Sequence, residues 1–327
     1  MPDTDIVFRP FLNTDPPLLV QVWNQQPSFR GLATNLNSQL LELHVFSKPY
    51  FERDGLLLAL QGTGANQRAV GFIHCSFDVR ADLGDLDFET GVISQLRVVD
   101  CERRAFVEDQ LIQLGLNYLK KRQAVRCYFG GRFPQAPFYL GLYGGSRIPG
   151  VMAGDRHVQD ALVRNGFEVE RTIAILERQL DRTVKAPGGR QQLSVRRNYL
   201  VNAISDPIEQ SWWECCTLGL SERDRFQVAR KKDNHVDGKV SYWDMQPLSS
   251  IMPDNYRGLY DLVVNRDGQR QGLATHLVCE SLKRLAANGA TMVEAQTDLA
   301  NIAAIRLFEK LEFVMVEQAQ SMVKRLG

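Results

Sequence analysis

The sequence predicts a mixed α/β (α+β) fold that is built twice along the chain, and two observations support this prediction. Each half contains an apolar run ending in Val-Val, at 98–99 and 263–264, followed by a long amphipathic segment. Each half then continues with a strand, a helix and a final strand. This order, after a meander of strands, is typical of a mostly antiparallel sheet flanked by helices.

The length of 327 residues supports two domains rather than one. The segment 181–198 is polar, basic and contains Pro-Gly-Gly, as linkers often do. We therefore predict a first domain over 1–182, a linker with the first strand over 183–198, and a second domain over 199–327.

Apolar periodicity places the main elements of each half. The predicted helices cover 105–122 and 272–287, the strands after them 124–129 and 291–297, and the closing strands, each within its own half, 171–180 and 319–326. The second helix should bury Leu273, Leu277, Val278, Leu282 and Leu285. Asn288-Gly289 is typical of a helix C-cap.

The first half carries an insertion at 129–155 that is rich in Gly, Pro and aromatic residues, which predicts an ordered loop. Two hypotheses fit its segment 138–151: it forms part of an acceptor pocket across the domain interface, or it covers an exposed sheet edge. The run WWECC at 212–216 fits core packing of a helix predicted over 207–219.

Composition and charge narrow the function classes. The chain has 39 basic and 38 acidic residues and a net charge of +1, so neither nucleic acid nor an anionic membrane is an expected partner. No signal peptide or long apolar run is visible, and we expect a cytoplasmic protein. None of the six cysteines shows C-x-x-C spacing, and we read no histidine as lying at a metal-ligand interval from them, so we expect free thiols and no metal site.

The stretch QRQGLATHLV, residues 269–278, lies where the strand 260–264 gives way to a helix. Helix N-termini offer unpaired N–H groups to anions. Here Gly272 would let a phosphate approach the backbone, Ala274 keeps the next position small, and Arg270 and Gln269 add a cation and donors. The alternative is that Gly272 only starts a helix tightly. The G-x-G-x-x-G and P-loop patterns are absent.

The residues around this corner resemble the GCN5-related N-acetyltransferase (GNAT) superfamily over about 70 residues. The [QR]-x-x-G-x-[GA] motif is matched by Gln269, Gly272 and Ala274, and the motif on the next helix by Asn301, Ala304, Leu307, Lys310 and Phe313. The layout resembles the tandem two-domain members of that superfamily, which include mycothiol synthase.

The resemblance implies two tandem GNAT-like domains and an acetyl-CoA site in the second. The pantetheine arm would pair with the main chain of a splayed strand, and the pyrophosphate would sit on the amides that follow. The implied acetyl-CoA-binding residues are Leu262, Val263, Val264, Gln269, Arg270, Gln271, Gly272, Leu273, Ala274, Thr275, Asn301 and Phe308. Seven residues separate Asn301 from Phe308, so both should share one helix face.

The catalytic groups are less well defined by the sequence. The family often has Tyr where this chain has Phe308, which cannot protonate the departing thiolate. Asp261 or Glu294 could be the general base, and the alternative for each is an ordinary sheet-face carboxylate paired with an arginine. Strand alternation places Asp261 and Val263 on one side and Tyr260, Leu262 and Val264 on the other. His276 is expected to pack rather than act as a base.

The matching corner of the first half, 98–111, has no Gly from 100 to 114 and places Glu102 and Glu108 near the expected phosphate position. Arg103 and Arg104 could still hold an anion. We expect this copy not to bind acetyl-CoA in the usual way.

The sequence therefore predicts an acetyl-CoA-dependent N-acetyltransferase, active in the C-terminal domain, whose acceptor is an amine of a small molecule or a protein. Two alternatives remain open: a non-catalytic acyl-CoA sensor or binding module, and a transferase on the same fold that uses aminoacyl-tRNA. The second would need a basic RNA-binding surface.

Overall fold

The computed structural model describes residues 6–62, 64, 67–130, 138–181, 184–185, 187–209, 211–219, 221–245 and 255–327. Part of the predicted insertion (131–137) and part of the predicted linker (182, 183 and 186) lie outside the described residues.

The described strands and α-helices of the N-terminal half are β1 (Ile6–Pro10), α1 (Pro16–Asn24), α2 (Ser38–Leu41), β2 (Leu56–Gln61), β3 (Arg68–Val79), β4 (Leu86–Val98), α3 (Arg104–Lys121), β5 (Arg126–Phe129), β6 (Val151–Met152), α4 (Arg156–Arg164) and β7 (Glu168–Gln179). Those of the C-terminal half are α5 (Arg190–Asn198), β8 (Tyr199–Ser205), α6 (Trp212–Leu218), β9 (Arg223–Arg230), β10 (Val236–Asp244), β11 (Tyr256–Val264), α7 (Leu273–Ala287), β12 (Met292–Asp298), α8 (Ile302–Lys310) and β13 (Val314–Arg325).

All described strands join one continuous sheet. Its order is β1-β2-β3-β4-β5-β13-β7-β12-β11-β10-β9-β8, and β6 pairs with β13 beyond β5. Among the described strands only the pairs β4–β5 and β11–β12 are parallel. α3 packs against β2, β3 and β4, and α7 packs against β8, β9, β10 and β11. The predicted mixed sheet, mostly antiparallel and flanked by helices, is confirmed.

The two halves exchange their last strands. β7 closes the N-terminal half in sequence, yet it pairs with β12 and β13. β13 closes the C-terminal half in sequence, yet it pairs with β5. The prediction that each half is closed by its own final strand is therefore wrong. The exchange fuses two sheets and removes two exposed edges. The domain boundaries at 182 and 199 stay a prediction.

The helix α7, which begins within the stretch 269–278, forms because its sequence provides an apolar inner face and a glycine at its C-terminal end. The five apolar side chains expected on its inner face are all 1% exposed or less. At its end Gly289 has φ +93°, and the N–H of Ala290 donates to Leu285 O at 2.9 Å. A left-handed glycine of this kind is how helices commonly stop.

The predicted linker is partly helical, because α5 occupies Arg190–Asn198 and packs against α7. Its sequence gave little signal of this. Gln192 and Val195 are its buried residues, so an apolar stripe is missing. A polar helix of this type depends on tertiary contacts rather than on its own amphipathicity.

The loop 138–151 belongs to the core of the N-terminal half. Tyr139 stacks on Trp23 with ring centroids 5.8 Å apart, and its hydroxyl lies 3.0 Å from His74 Nδ1. The hydroxyl of Tyr143 donates to Asp155 at 3.1 Å. The same hydrophobic cluster continues into the C-terminal half through Trp213, which is 0% exposed. The two halves thus share a core, and the packing role expected for the WWECC run is confirmed at Trp213.

Candidate functional site

The strand β11 leaves its neighbour β12 partway along its length. Their parallel pairing runs from Tyr256 to Gly258 and from Met292 to Glu294. β12 continues through Asp298 against β7, while residues 259–264 of β11 continue only against β10. A wedge therefore opens between the two parallel strands beyond Gly258, where the sequence analysis expects a splayed strand.

A β-bulge lies at the start of this wedge. The register between β10 and β11 shifts by one residue between Tyr260 and Val263, and Asp261 has φ +54°. The carboxylate of Asp261 forms an ion pair with Lys239 Nζ at 2.6 Å. The expected strict alternation along this strand is therefore wrong: Tyr260 belongs to the hydrophobic cluster of the N-terminal half, whereas Leu262 and Val264 pack against the cluster around α7, because the bulge resets the alternation of faces.

The corner after β11 is a tight turn that ends in a helix N-terminus. A single 3₁₀ turn spans Arg266–Gly268, Arg270 has φ +60°, and Gly272 caps α7 with φ +81°. The first intrahelical hydrogen bond is His276 N–H to Gly272 O at 3.0 Å. The amides of residues 273–275 precede this bond, so they are the N–H groups that a helix start offers to an anion.

Gly272 also has a structural reason to be glycine. Its left-handed backbone disfavours a side chain, and a Cβ at this position would lie 2.6 Å from Gln192 Nε2 of α5. Gln192 donates to Gly272 O at 3.1 Å, and Gln191 donates to Arg270 O at 2.9 Å. The turn is therefore a tight helix start that α5 braces from outside, and anion binding at the same turn stays a prediction.

A basic cavity adjoins the corner. It has a volume of about 940 Å³ and lies between α5, the β9–β10 turn and residues 267–271. The charged residues in its lining are Arg197, Arg230, Lys231, Lys232, Arg270 and Asp267. Of these, Arg230 pairs with Asp237 at 2.6 Å. An excess of cations beside a helix N-terminus favours a ligand with several phosphates. Sequence reasoning missed this cavity because it treated 183–198 as linker.

The second motif sits on α8. Asn301 Oδ1 accepts the N–H of Ala304 at 3.2 Å, so this side chain caps the helix. Phe308 is 3% exposed and packs edge-on against Phe313 with centroids 5.1 Å apart. His276 on α7 is 6% exposed, and burial lowers its pKa. Its burial agrees with the packing role expected for it.

Glu294 joins the two halves beside the wedge. It is 2% exposed and accepts hydrogen bonds from Ser146 N at 2.7 Å and Gln296 Nε2 at 2.9 Å. A Cβ on Gly145 would lie 2.5 Å from the Glu294 carboxylate oxygens, so only glycine fits there. Burial raises the pKa of Glu294 above its ordinary value. Its catalytic role stays a prediction.

A second carboxylate lies beside Glu294, on the exchanged strand β7. Glu177 of β7 is its direct partner in the sheet, and it contacts Arg30 and the Tyr256 hydroxyl. Burial, with a smaller effect of Glu294, raises the pKa of Glu177 to about 7. These residues line a cavity of about 330 Å³ between the halves. Sequence reasoning missed Glu177 because it did not predict the strand exchange.

A third cavity touches the splayed part of β11 on the face opposite α7. It has a volume of about 430 Å³ and lies between the bulge, α6, the β3–β4 turn and the loop 138–151. Arg147 enters it from that loop, and Trp213 and Leu218 enter it from α6. The loop therefore does reach across the interface to a cavity beside the wedge, as one of the two hypotheses for 138–151 requires.

The corresponding region of the N-terminal half is filled by its own side chains. The β4–β5 pairing ends at Ile93 and Phe129. Four residues further on, Arg97 is 1% exposed, with its guanidinium 2.7 Å from Asp155 and 4.7 Å from the ring centroid of Tyr143.

The corner that follows in this half is held by ion pairs. Glu108 is 3% exposed and binds Arg104 at 2.9 Å and Arg164 at 2.8 Å. Arg104, which the sequence offered as an anion ligand, is thus engaged within the protein.

Comparison with known proteins agrees with this architecture. Residues 193–313 match the model of the acetyltransferase (GNAT) family. No curated protein matches the sequence significantly. A tandem GNAT protein from the clavulanic acid biosynthesis pathway superposes with a TM-score of 0.64 over 99% of both chains at 14% identity. The chain is a tandem GNAT-fold protein.

Two further solved structures share this fold. A GCN5-related N-acetyltransferase from Sphaerobacter thermophilus gives a TM-score of 0.63 at 12% identity, covering 100% of this chain and 97% of its own. A fungal multi-domain GH3 β-N-acetylglucosaminidase with a GCN5-related glucosamine N-acetyltransferase region gives 0.71 at 11% identity. The present chain covers only 38% of that larger protein. At such identities the likeness concerns the fold.

None of the described helices is both long and apolar enough to cross a membrane. The described residues contain no group of three or more His, Cys, Asp or Glu side chains that could hold a metal ion.

Proposed function

We propose that the C-terminal GNAT domain binds acetyl-CoA and transfers the acetyl group to an amine. One observation carries the proposal: the wedge between β11 and β12 leads to a helix N-terminus that adjoins the basic cavity. This arrangement offers an open strand edge to the pantetheine, amides to the pyrophosphate, and cations to the remaining phosphate of coenzyme A.

The reaction follows from these groups. The neutral amine attacks the thioester carbonyl, whose oxygen accepts an N–H from the splayed strand near Leu262. The C–S bond breaks and the thiolate leaves, while the amine proton passes to a base. Asp261 and Glu294 remain the candidate bases. Phe308 carries no proton to donate, so water protonates the thiolate.

We place the acceptor in the cavity of about 430 Å³, because its lining includes Tyr260, Asp261 and Leu262 of the splayed segment. On this proposal the N-terminal half does not bind acetyl-CoA in the usual way at its own strand-to-helix corner. It instead supplies a wall of the acceptor site through Arg147. The acceptor is a small-molecule or peptide amine.

A non-catalytic acyl-CoA-binding protein is the second candidate. The observation that favours it is the close approach of the loop 138–151 to β11. A Cβ added to Gly258, the last residue of β11 that pairs with β12, would lie 2.7 Å from the Cβ of Ser146. This contact narrows access to the wedge from the acceptor side.

The test has two stages. Thermal shift with acetyl-CoA, coenzyme A and tRNA comes first, and we expect stabilisation by both coenzyme species but not by tRNA. A response to tRNA alone would favour the aminoacyl-tRNA alternative, and no response to coenzyme A would contradict the proposal. Mass spectrometry of acetylated products over an amine panel then separates an enzyme from a binding protein. Thiol reagents are unsuitable as the sole readout because Cys215 is exposed.

A further inference from the structure

The cavity proposed for the acceptor already contains an amine of the protein itself. Among the described residues that line this cavity, Lys239 is the one that carries a primary amine. Its Nζ lies 2.6 Å from Oδ2 of Asp261, the residue at the bulge of the splayed strand. The chain thus holds one of its own amines beside a candidate base, in the place where an external acceptor amine would bind.

The alternation of side chains along β10 directs Lys239 to this cavity. Val240 and Tyr242 pack in the cluster around α7, whereas Trp243 belongs to the cluster that continues from the N-terminal half. Because side chains alternate along a strand, Lys239 lies on the same face as Trp243. The amine is therefore on the face opposite α7, which is the face of the cavity.

The ion pair holds this amine next to the position proposed for the thioester. The proposed reaction has the thioester carbonyl accept an N–H of the splayed strand near Leu262, the residue that follows Asp261. Lys239 is the sheet partner of Val263, so its main chain flanks the same segment from β10. The side chains of Lys239 and Asp261 are 34% and 29% exposed, so solvent reaches the pair and can take up a proton.

We propose that the protein acetylates its own Lys239, within one molecule, from acetyl-CoA bound at the C-terminal corner. The inference rests on the proposed acetyl-CoA binding and transfer at this site. The Nζ ammonium gives one proton to Asp261, and the neutral amine attacks the thioester carbon. The N–C bond forms and the C–S bond breaks. The second amine proton passes to water, and the departing thiolate takes up a proton to become coenzyme A.

Lys283 offers a matched control within the same chain. Its Nζ lies 2.7 Å from Glu280, and the two side chains are 36% and 28% exposed, so its ion pairing and exposure closely match those of Lys239. It lies on α7 and does not line the cavity proposed for the acceptor. Free acetyl-CoA should therefore modify both lysines slowly and alike, and any excess at Lys239 reports the bound cofactor.

The experiment follows the acetylation of each lysine over time, by peptide mass spectrometry of protein incubated with acetyl-CoA. We expect the initial rate at Lys239 to exceed that at Lys283 by about tenfold or more, because a positioned reaction within one molecule has a high effective molarity. The rate per molecule should not change when the protein is diluted. Equal rates at the two lysines, or a rate at Lys239 that rises with protein concentration, would overturn the inference.

Two variants tie the modification to the bound cofactor and to the amine. Ala274→Glu places a negative charge at the proposed pyrophosphate site, so acetylation at Lys239 should fall to the rate at Lys283, which should itself stay unchanged. Lys239→Arg keeps a cation beside Asp261 but has no primary amine. It should bind acetyl-CoA as the wild type does and lose the rapidly added acetyl group.

The outcomes distinguish this inference from the proposed function on which it rests. Calorimetry measures acetyl-CoA binding separately from acetylation. A wild-type protein that binds acetyl-CoA and transfers acetyl to external amines but leaves Lys239 unmodified would overturn the inference alone. Rapid acetylation of Lys239 in an Ala274→Glu protein that no longer binds acetyl-CoA would also overturn it. A wild-type protein that does not bind acetyl-CoA would contradict the proposed function as well.

Discussion

The two halves present the same strand-to-helix corner with different local structure, although both follow a Val-Val strand end. In the C-terminal corner Gly272 caps α7 with φ +81°, and in the N-terminal corner Arg103 caps α3 with φ −104°. The first corner adjoins a basic cavity, whereas in the second Glu108 is held between two arginines. The comparison teaches that the same fold accommodates a glycine-capped helix start at one corner and a group of ion pairs at the other.

The largest expected effect comes from a negative charge at the N-terminus of α7, where we propose that the pyrophosphate binds. Ala274 is the second residue of α7, and Ala105 is the second residue of α3. Glutamate at either position agrees with the helix dipole and should not harm folding. We expect Ala274→Glu to weaken acetyl-CoA binding by about 100-fold or more, since a like-charge contact costs several kcal/mol.

Ala105→Glu is the matched control for this change, and calorimetry should show unchanged affinity. Equal losses in both variants would mean that the two corners do not differ as proposed. Unchanged acetyl-CoA affinity in the Ala274→Glu protein would contradict the proposal that the pyrophosphate binds at the N-terminus of α7.

The second prediction concerns the backbone of the turn at Gly272. Gly272→Ala should lower the free energy of unfolding by about 2 kcal/mol or more, because a left-handed residue with a Cβ costs about 1–2 kcal/mol and Gln192 must also move. Gly289→Ala is the control: it has φ +93°, but the nearest atom to its Cβ would be 3.9 Å away. Urea unfolding of both variants measures the difference, and a smaller loss for Gly272→Ala would show that α5 does not constrain the turn.

The sequence alone predicted the elements that local patterns specify. α7 begins at Leu273 and β12 at Met292, each within one residue of expectation, because apolar periodicity and the Asn-Gly cap are local signals. The strand exchange could not be predicted, because β7 and β13 have similar strand patterns and either could follow β5 or β12. Pairing of distant strands is decided by the whole core rather than by the strand itself.

The candidate site, like the fold, could be predicted from the sequence only where local patterns specify it. The motif residues around Gly272 were found from their spacing, but α5 was missed because it has no apolar stripe. The bulge at Asp261 was missed because nothing in YDLVV signals a left-handed aspartate. Glu177 was missed as a neighbour of the C-terminal site because it comes from the other half of the chain, whereas Arg147 lies in the loop 138–151, for which an acceptor pocket was one of the two hypotheses.

A third, intermediate effect should come from the basic cavity that adjoins the C-terminal corner. If Arg197 binds the 3′-phosphate of coenzyme A, the wild type should bind coenzyme A about tenfold more tightly than dephospho-coenzyme A. Arg197→Gln should lose this preference, and Lys121→Gln, in a basic cavity of the N-terminal half, should keep it. Calorimetric affinities for both ligands measure the effect, and equal wild-type affinities would contradict the assignment.

The smallest expected effect tests the contact that joins the two halves. Burial and, to a smaller extent, the facing Glu294 raise the pKa of Glu177 from 4.5 to about 7 in the folded protein, and Arg30 and Tyr256 contact the same carboxylate. The folded protein therefore keeps a proton on Glu177 that the unfolded chain releases. This stabilisation is complete below about pH 4.5 and is lost as the pH rises through about 7.

Glu177→Gln cannot ionise, so its stability should fall less than that of the wild type between pH 5 and pH 7.5. The difference should be on the order of 1 kcal/mol and no more than about 3 kcal/mol, the value of an unopposed shift of this size. Urea unfolding at the two pH values measures it, with Glu168→Gln, an exposed position on the same strand, as the control. Equal pH dependence in Glu177→Gln and wild type would mean that Arg30 keeps Glu177 ionised throughout. The exchanged strand would then join the halves by a permanent ion pair rather than by a proton-dependent contact.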